Sequence, residues 1–244
     1  MKGYGQFCPV AMAAALLSER WTLLVVRELL MGSRHFNQLR RGVPLMSPTL
    51  LSTRLQGLYE QGVVTRVPAG DGHGWEYGLT DAGRELFPLI EQLGHWGKRW
   101  IRGKMTRDQV DLRLLMWAMH REFNVAQLPP RRINMQIELS DGGRIKHWWM
   151  LLEKDQGVDL CLQDPGFEVD LLMHTDALTL AEVYMGDVPL NEACACGRMK
   201  VEGPPSLVKT IPKWFSRSLF ADVPVARGNA IPASTEPVPR RTSA

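Results

Sequence analysis

The residues best placed to do chemistry lie in PLMSPTLLSTRLQGLYEQG, Pro44 to Gly62. Ser47 and Pro48 read as an N-cap and a first helical residue, where proline's missing N–H costs nothing. Helical spacing then puts Leu51, Leu55, Leu58 and Gly62 on one face. Thr49, Thr53, Gln56 and Glu60 fall on the other, with Ser52 beside them. The outer face therefore bears short hydrogen-bonding side chains rather than a Lys/Glu coat. Such side chains reach base edges and phosphates in a major groove; a solvated face on an ordinary surface helix is the alternative. Elsewhere the chemistry is sparse. Cys194-Ala195-Cys196, with His174 as a third ligand, lacks the paired C-x-x-C spacing of structural zinc, so no metal site is expected. There is no glycine-rich phosphate loop, G-x-S-x-G elbow or H-E-x-x-H, so the expectation is a binding protein without a cofactor and not an enzyme.

The elements around Pro44–Gly62 have to position that face. CPVAMAAALLSE, with Pro9 in its first turn, is an alanine-rich helix suited to close packing. Arg20 to Met31 is apolar nearly all round, as a central bundle helix should be. HFNQLRR makes a third helix, stopped by Gly42 and Pro44, so the Ser47 helix is the second half of a helix-turn-helix. Val63–Val67 and Trp75–Leu79 are strands flanking a glycine-rich loop, which gives the winged order. Thr80 and Asp81 then cap a long helix through about Arg102. On it Leu86, Leu93 and Trp100 recur every seven residues, and Gly94 and Gly97 suit close approach of a second copy.

Charge is uneven along the 244 residues. Up to Lys104 there are 13 Lys/Arg against 8 Asp/Glu; beyond it, 16 against 18. Contact with nucleic acid by the first half alone fits that split. No apolar run approaches the roughly 18 residues needed to span a bilayer, so no membrane is expected. Four cysteines in a chain of this length make no disulfide scaffold, and a reducing cytoplasm is the default.

Beyond Asp111–Phe123, a second apolar helix, the period changes. Ile133, Met135, Ile137 and Leu139 alternate with polar residues, Asp141-Gly142-Gly143 turns the chain, and IKHWWMLLE is apolar on both faces. About four antiparallel strands are expected, with helices at Ala177–Met185 and Pro205–Phe215 over one face and a short helix and edge strand between them. The class is α+β in two domains, 1–104 and 105–221, followed by a disordered Pro/Ser/Thr/Arg-rich tail at 222–244.

Two resemblances sharpen this. CPV, ERWTLLVVRELLMGSRHFNQLRRGVPLMSPTLLSTRLQGLYEQGVV and WEYGLTDAGREL resemble the HxlR-type winged-helix transcriptional regulators, relatives of the MarR group, over about residues 7–102. LLSERW departs from the family's LIGGKW-like stretch at a helix junction. The resemblance implies a homodimer, joined by the first and last helices of the domain, that binds double-stranded DNA. It places Ser47, Thr49, Ser52, Thr53 and Gln56 on the recognition helix, with Gln56 able to read adenine in a bidentate way. Arg34, Asn37, Arg40 and Arg41 become phosphate anchors. Arg54 either clamps a phosphate or supports the neighbouring helix. His73, at the wing tip, enters the minor groove, touches backbone or is simply solvated. Cys8 stands where some members carry an oxidant-sensing thiol, although a small buried hydrophobe is the commoner role.

The second half, about 107–220, resembles the sterol carrier protein type two fold through QDPGFEVDLLMHTDALTLAEVYMGDVPLNEACACGRMKVEG and PPSLVKTI. That family encloses an apolar tunnel between sheet and helices. Trp117, Trp148, Trp149, Met150, Met173, Tyr184 and Met185 either line such a tunnel or are plain core. The resulting expectation is a dimeric regulator whose second domain binds a small apolar or lipid-like effector. A lipid carrier with the winged helix as dimeriser, and a thiol sensor acting through Cys8, are its rivals.

Overall fold

Ser47 forms the cap that its sequence context predicts: its Oγ accepts the Leu50 amide at 3.3 Å, and Pro48 follows in the first turn. In the computed structural model, which describes residues 4–226 apart from 71, 73, 102 and 104, this helix is α4 (Pro48–Glu60). It follows α1 (Pro9–Leu17), α2 (Thr22–Leu30) and α3 (Phe36–Gly42). Leu51, Leu55 and Leu58 point inward against Val25, Val26, Leu29 and Leu39. The first two helices are shorter than the expected Cys8–Glu19 and Arg20–Met31. The chain breaks between them at Trp21, whose φ of 80° lies in the left-handed region that L side chains rarely adopt. α2 is also not uniformly buried: Leu24 is exposed, whereas Glu28 is completely enclosed.

β1 (Val64–Pro68) and β2 (Trp75–Leu79) pair antiparallel from Val64↔Leu79 to Pro68↔Trp75. A bridge from His35 to Glu76 ties the hairpin to the start of α3. Thr80 caps the next turn by accepting the Gly83 amide at 3.1 Å, and it donates to the Gly62 carbonyl at 2.7 Å. The expected continuous helix from Thr80 to Arg102 is interrupted. α5 (Asp81–Arg84) stops, and α6 (Phe87–Trp96) restarts with Pro88 in its first turn. Pro88 has no amide to give the Arg84 carbonyl, so an unbroken helix would lose that bond. Gly97–Ile101 then continues as a π-helical turn.

The second unit is a five-stranded sheet in the order β5-β4-β3-β6-β7, made of β3 (Ile133–Asp141), β4 (Arg144–Glu153), β5 (Gly157–Cys161), β6 (Leu171–Asp176) and β7 (Met199–Glu202). Gly142 and Gly143 both have positive φ (60° and 82°), which makes the two-residue turn that the Asp-Gly-Gly run predicts. The sheet is mixed rather than antiparallel, because β3 and β6 run parallel from Met135↔Leu171 to Ser140↔Asp176. Asn134 and Asp170 fix that pairing. The Asp170 amide donates to the Asn134 carbonyl at 2.9 Å, and the Asn134 amide donates to the Asp170 carboxylate at 2.9 Å. The crossover from β5 therefore delivers β6 beside β3 instead of onto the free edge of β5.

Ile133, Met135, Ile137 and Leu139 are fully buried, as their alternation predicts. They pack beneath α7 (Leu112–Met119), α8 (Ala177–Tyr184), α10 (Pro205–Val208) and α11 (Ile211–Trp214), with α9 (Leu190–Ala195) closing one end. The tail expected from 222 onward starts with an ordered stretch: the Val223 amide bonds the Phe220 carbonyl, and the Ala226 amide bonds Arg99. Residues 227–244 lie outside the described residues.

Candidate nucleic-acid interface and domain junction

Thr49, Ser52 and Thr53 form the exposed strip of α4, with Ser47 and Pro48 at its N-terminal end. Arg34, Asn37 and Arg40, from the turn before α3 and α3 itself, are exposed as well. The Thr53 hydroxyl donates to the Thr49 carbonyl at 3.0 Å, which leaves its lone pairs outward. Gln56 is less free than its spacing implies. Its Nε2 donates to Glu60 at 2.7 Å and its Oε1 accepts Arg66 at 2.8 Å. Arg66 is the residue that the sequence reading missed. Its guanidinium lies 4.5 Å from the Tyr59 ring centre and 4.8 Å from that of Trp75, joining the helix to the wing. Tyr59, Arg66 and Trp75 sit on three separate elements, so no local pattern connects them.

Arg54 faces away from this strip. Its Nε donates to the Arg20 carbonyl at 3.2 Å and its Nη1 pairs with Glu19. The guanidinium thus braces the α1–α2 break, and the alternative of a phosphate clamp is set aside. Arg41 lies over the Trp117 ring at 5.2 Å and so faces the second unit. His73 lies outside the described residues. Cys8 is half-buried at the N-cap of α1 and forms no disulfide with another described cysteine. Cys194 and Cys196 are exposed, and among the described residues no group of three or more His, Cys, Asp or Glu is placed to hold a metal ion. No single described helix is long and apolar enough to cross a membrane.

α1 buries none of its residues, and Phe7 just before it is almost wholly exposed. Leu89, Leu93, Trp96 and Trp100 stand exposed along α6 and the turn after it. The four recur at helical spacing and so form one apolar stripe, as an interface would need.

The seven residues expected around a tunnel do not surround one cavity. Trp148, Met150 and Met173 are buried in the packed sheet–helix core. Trp149 lies on the opposite face of the sheet, stacked on His147 at 6.1 Å. Trp117 turns toward the winged helix, and its Nε1 donates to Glu28 at 3.2 Å. Only Tyr184 and Met185 reach a cavity, one of about 360 Å³ between the two units. The junction around it is held by buried charge. Glu28 accepts from Arg27 (2.8 Å) and from Arg121 on the far side (2.9 Å). Lys98, equally enclosed, donates to the carbonyls of Met185 and Ala221 and lies 3.8 Å from Asp187. Burial pushes His120 down to about 4, so its imidazole is neutral beside Arg121 and Arg41. Burial also raises Glu122, partly opposed by the 2.6 Å hydrogen bond that it accepts from Tyr184.

Helices packed around a tight turn, a second helix with an exposed hydroxyl strip and a two-stranded wing define a winged helix-turn-helix protein. The chain belongs to the HxlR-like helix-turn-helix family, whose model matches residues 16–105. It is 37% identical over 99 residues to the HTH-type transcriptional regulator YvaP of Bacillus subtilis, a match covering 39% of this chain and 91% of YvaP. It is 46% identical over 93 residues to an HTH-type transcriptional regulator of Mycobacterium tuberculosis. That match covers 38% of this chain, which spans only 58% of that relative's length. Among solved structures, the reduced form of the transcriptional regulator YodB from Bacillus subtilis aligns at 26% identity with a TM-score of 0.34, covering 38% of this chain and 93% of that one.

Proposed function

We propose that this chain is a homodimeric transcriptional regulator that binds double-stranded DNA through α4, and that a small apolar effector bound beyond α6 modulates its operator affinity. The observation that carries the DNA-binding part is the bare Thr49–Ser52–Thr53 strip on α4, with Arg34 and Arg40 exposed as well. Short hydroxyl side chains are suited to base edges, and the guanidiniums to phosphates. The exposed apolar residues of α1 and α6 supply the face on which a second copy would pack. Two copies present two recognition helices, which matches DNA half-sites about one helical turn apart.

Selection from random duplexes tests this directly. An enriched, two-fold-related motif is expected, and its absence would sink the regulator reading. Arg40→Ala should then weaken binding to selected and unselected DNA alike, and should lower the slope of log affinity against log salt by about 1. A change confined to one base position would instead make Arg40 a base reader.

A further inference from the structure

We propose that the cavity between the winged helix and the second unit is the effector site, and that it takes a lipophilic cation: an apolar body carrying one positive charge. The cavity's volume, about 360 Å³, lies in the range of small-molecule sites. Leu30, Met31 and Ile90 form one wall and Leu114, Ala118 and Met185 the other, so its bulk is apolar. The sign of the ligand's charge follows from the polar groups. The described lining holds two guanidiniums, Arg27 and Arg121, against four carboxylates, Glu28, Glu91, Asp111 and Glu122.

Both arginines are committed to the buried Glu28. Glu122 accepts the neutral hydroxyl of Tyr184 and feels Arg121 and Arg27 through charge alone, while Asp111, exposed at the rim, accepts the Leu114 amide that it caps. Glu91, half-buried, forms no ion pair among the described residues. The lining is therefore electronegative, and a desolvated carboxylate gains most from a nearby cation. One feature points the other way: the Arg121 Nε–H is buried without a partner. Two guanidiniums on one Glu28 also leave a positive charge over, but the three remaining carboxylates outweigh it and the lining keeps two net negative charges.

The position makes such a site consequential for the regulator reading, on which the next step rests. Arg27 donates to the Gly42 carbonyl at the end of α3 (3.1 Å), and the Glu28 carboxylate fills the space where a Gly42 Cβ would stand. On the other side Phe220 lies directly against Gly94 of α6. An occupant that parts the two walls thus acts on the turn leading to α4 and on the helix carrying the exposed apolar stripe. A ligand shifts an equilibrium only by its differential affinity for two arrangements, so coupling requires that the occupied cavity favour one of them.

Tetraphenylphosphonium and tetraphenylborate, alike in shape and opposite in charge, test the proposal by calorimetry on the full chain without DNA. The cation should bind one per chain, at least tenfold tighter than the anion. Glu122→Gln should narrow that ratio, and Leu114→Trp or Ala118→Phe, each with a retained thermal transition, should weaken both ions by filling the space. Borate binding as tightly as phosphonium overturns the charge assignment. No binding by either, or filling variants without effect, overturns the site. The DNA selection described above is run without these ions, so it stands or fails independently. Phosphonium that binds the protein but leaves affinity for the selected DNA unchanged overturns the coupling.

Discussion

Glu28→Ala is expected to destabilise the full chain by about 3–5 kcal/mol, the range for removing one partner of a buried ionic cluster. Glu28 has no exposed surface, and its carboxylate receives Arg27, the Trp117 indole N–H and Arg121. Truncation leaves the buried Trp117 N–H without its acceptor and the largely enclosed Arg121 guanidinium with only a 3.4 Å contact to the Ser33 hydroxyl. It is the stranded donors, more than the lost attraction, that set the size of the effect. For comparison, breaking the exposed pair Arg84–Asp81 should cost less than about 1 kcal/mol. Urea unfolding at constant slope measures both. Because the desolvation of the charges opposes their attraction, the double variant Glu28→Met with Arg121→Met should be more stable than Glu28→Ala alone. A Glu28→Ala loss below about 1 kcal/mol would mean that this junction is open in solution.

That cluster marks the boundary of what the sequence discloses. Local signals were legible: Ser47-Pro48 capped its helix, Asp141-Gly142-Gly143 made its turn, and the alternation from Ile133 to Leu139 told inside from outside. Each depends on residues within a few positions of one another. Glu28 gives no local signal of its role because its partners Trp117 and Arg121 lie far along the chain. The parallel pairing of β3 with β6 rests on Asn134 meeting Asp170, again a distant contact. Arg54 was ambiguous for the same reason, since Glu19 and the Arg20 carbonyl decide its direction. The break before α6 is different. Pro88 is a local signal for that break, and the seven-residue repeat of Leu86, Leu93 and Trp100 continues across it without making the helix continuous.

The triple change Thr49→Ala, Ser52→Ala and Thr53→Ala should abolish discrimination between selected and unselected DNA while leaving the protein folded. All three side chains are exposed on α4, and none contributes to the core beneath it. Alanine has the higher helix propensity at each position, so thermal stability should stay equal or rise. Binding should behave in the opposite way. Base contacts are worth about 1–3 kcal/mol apiece at best, so losing two removes roughly thirtyfold or more in preference. The residual, sequence-independent binding should keep the wild-type salt slope, because the arginines proposed as phosphate anchors are untouched. Gln56→Ala alone should do less than its type implies, since Arg66 and Glu60 already hold both ends of its amide. Anisotropy titrations with selected and scrambled duplexes at two salt concentrations separate these effects. If the triple variant retains its preference, the strip on α4 does not read bases, and the reading element must be sought in the wing between β1 and β2.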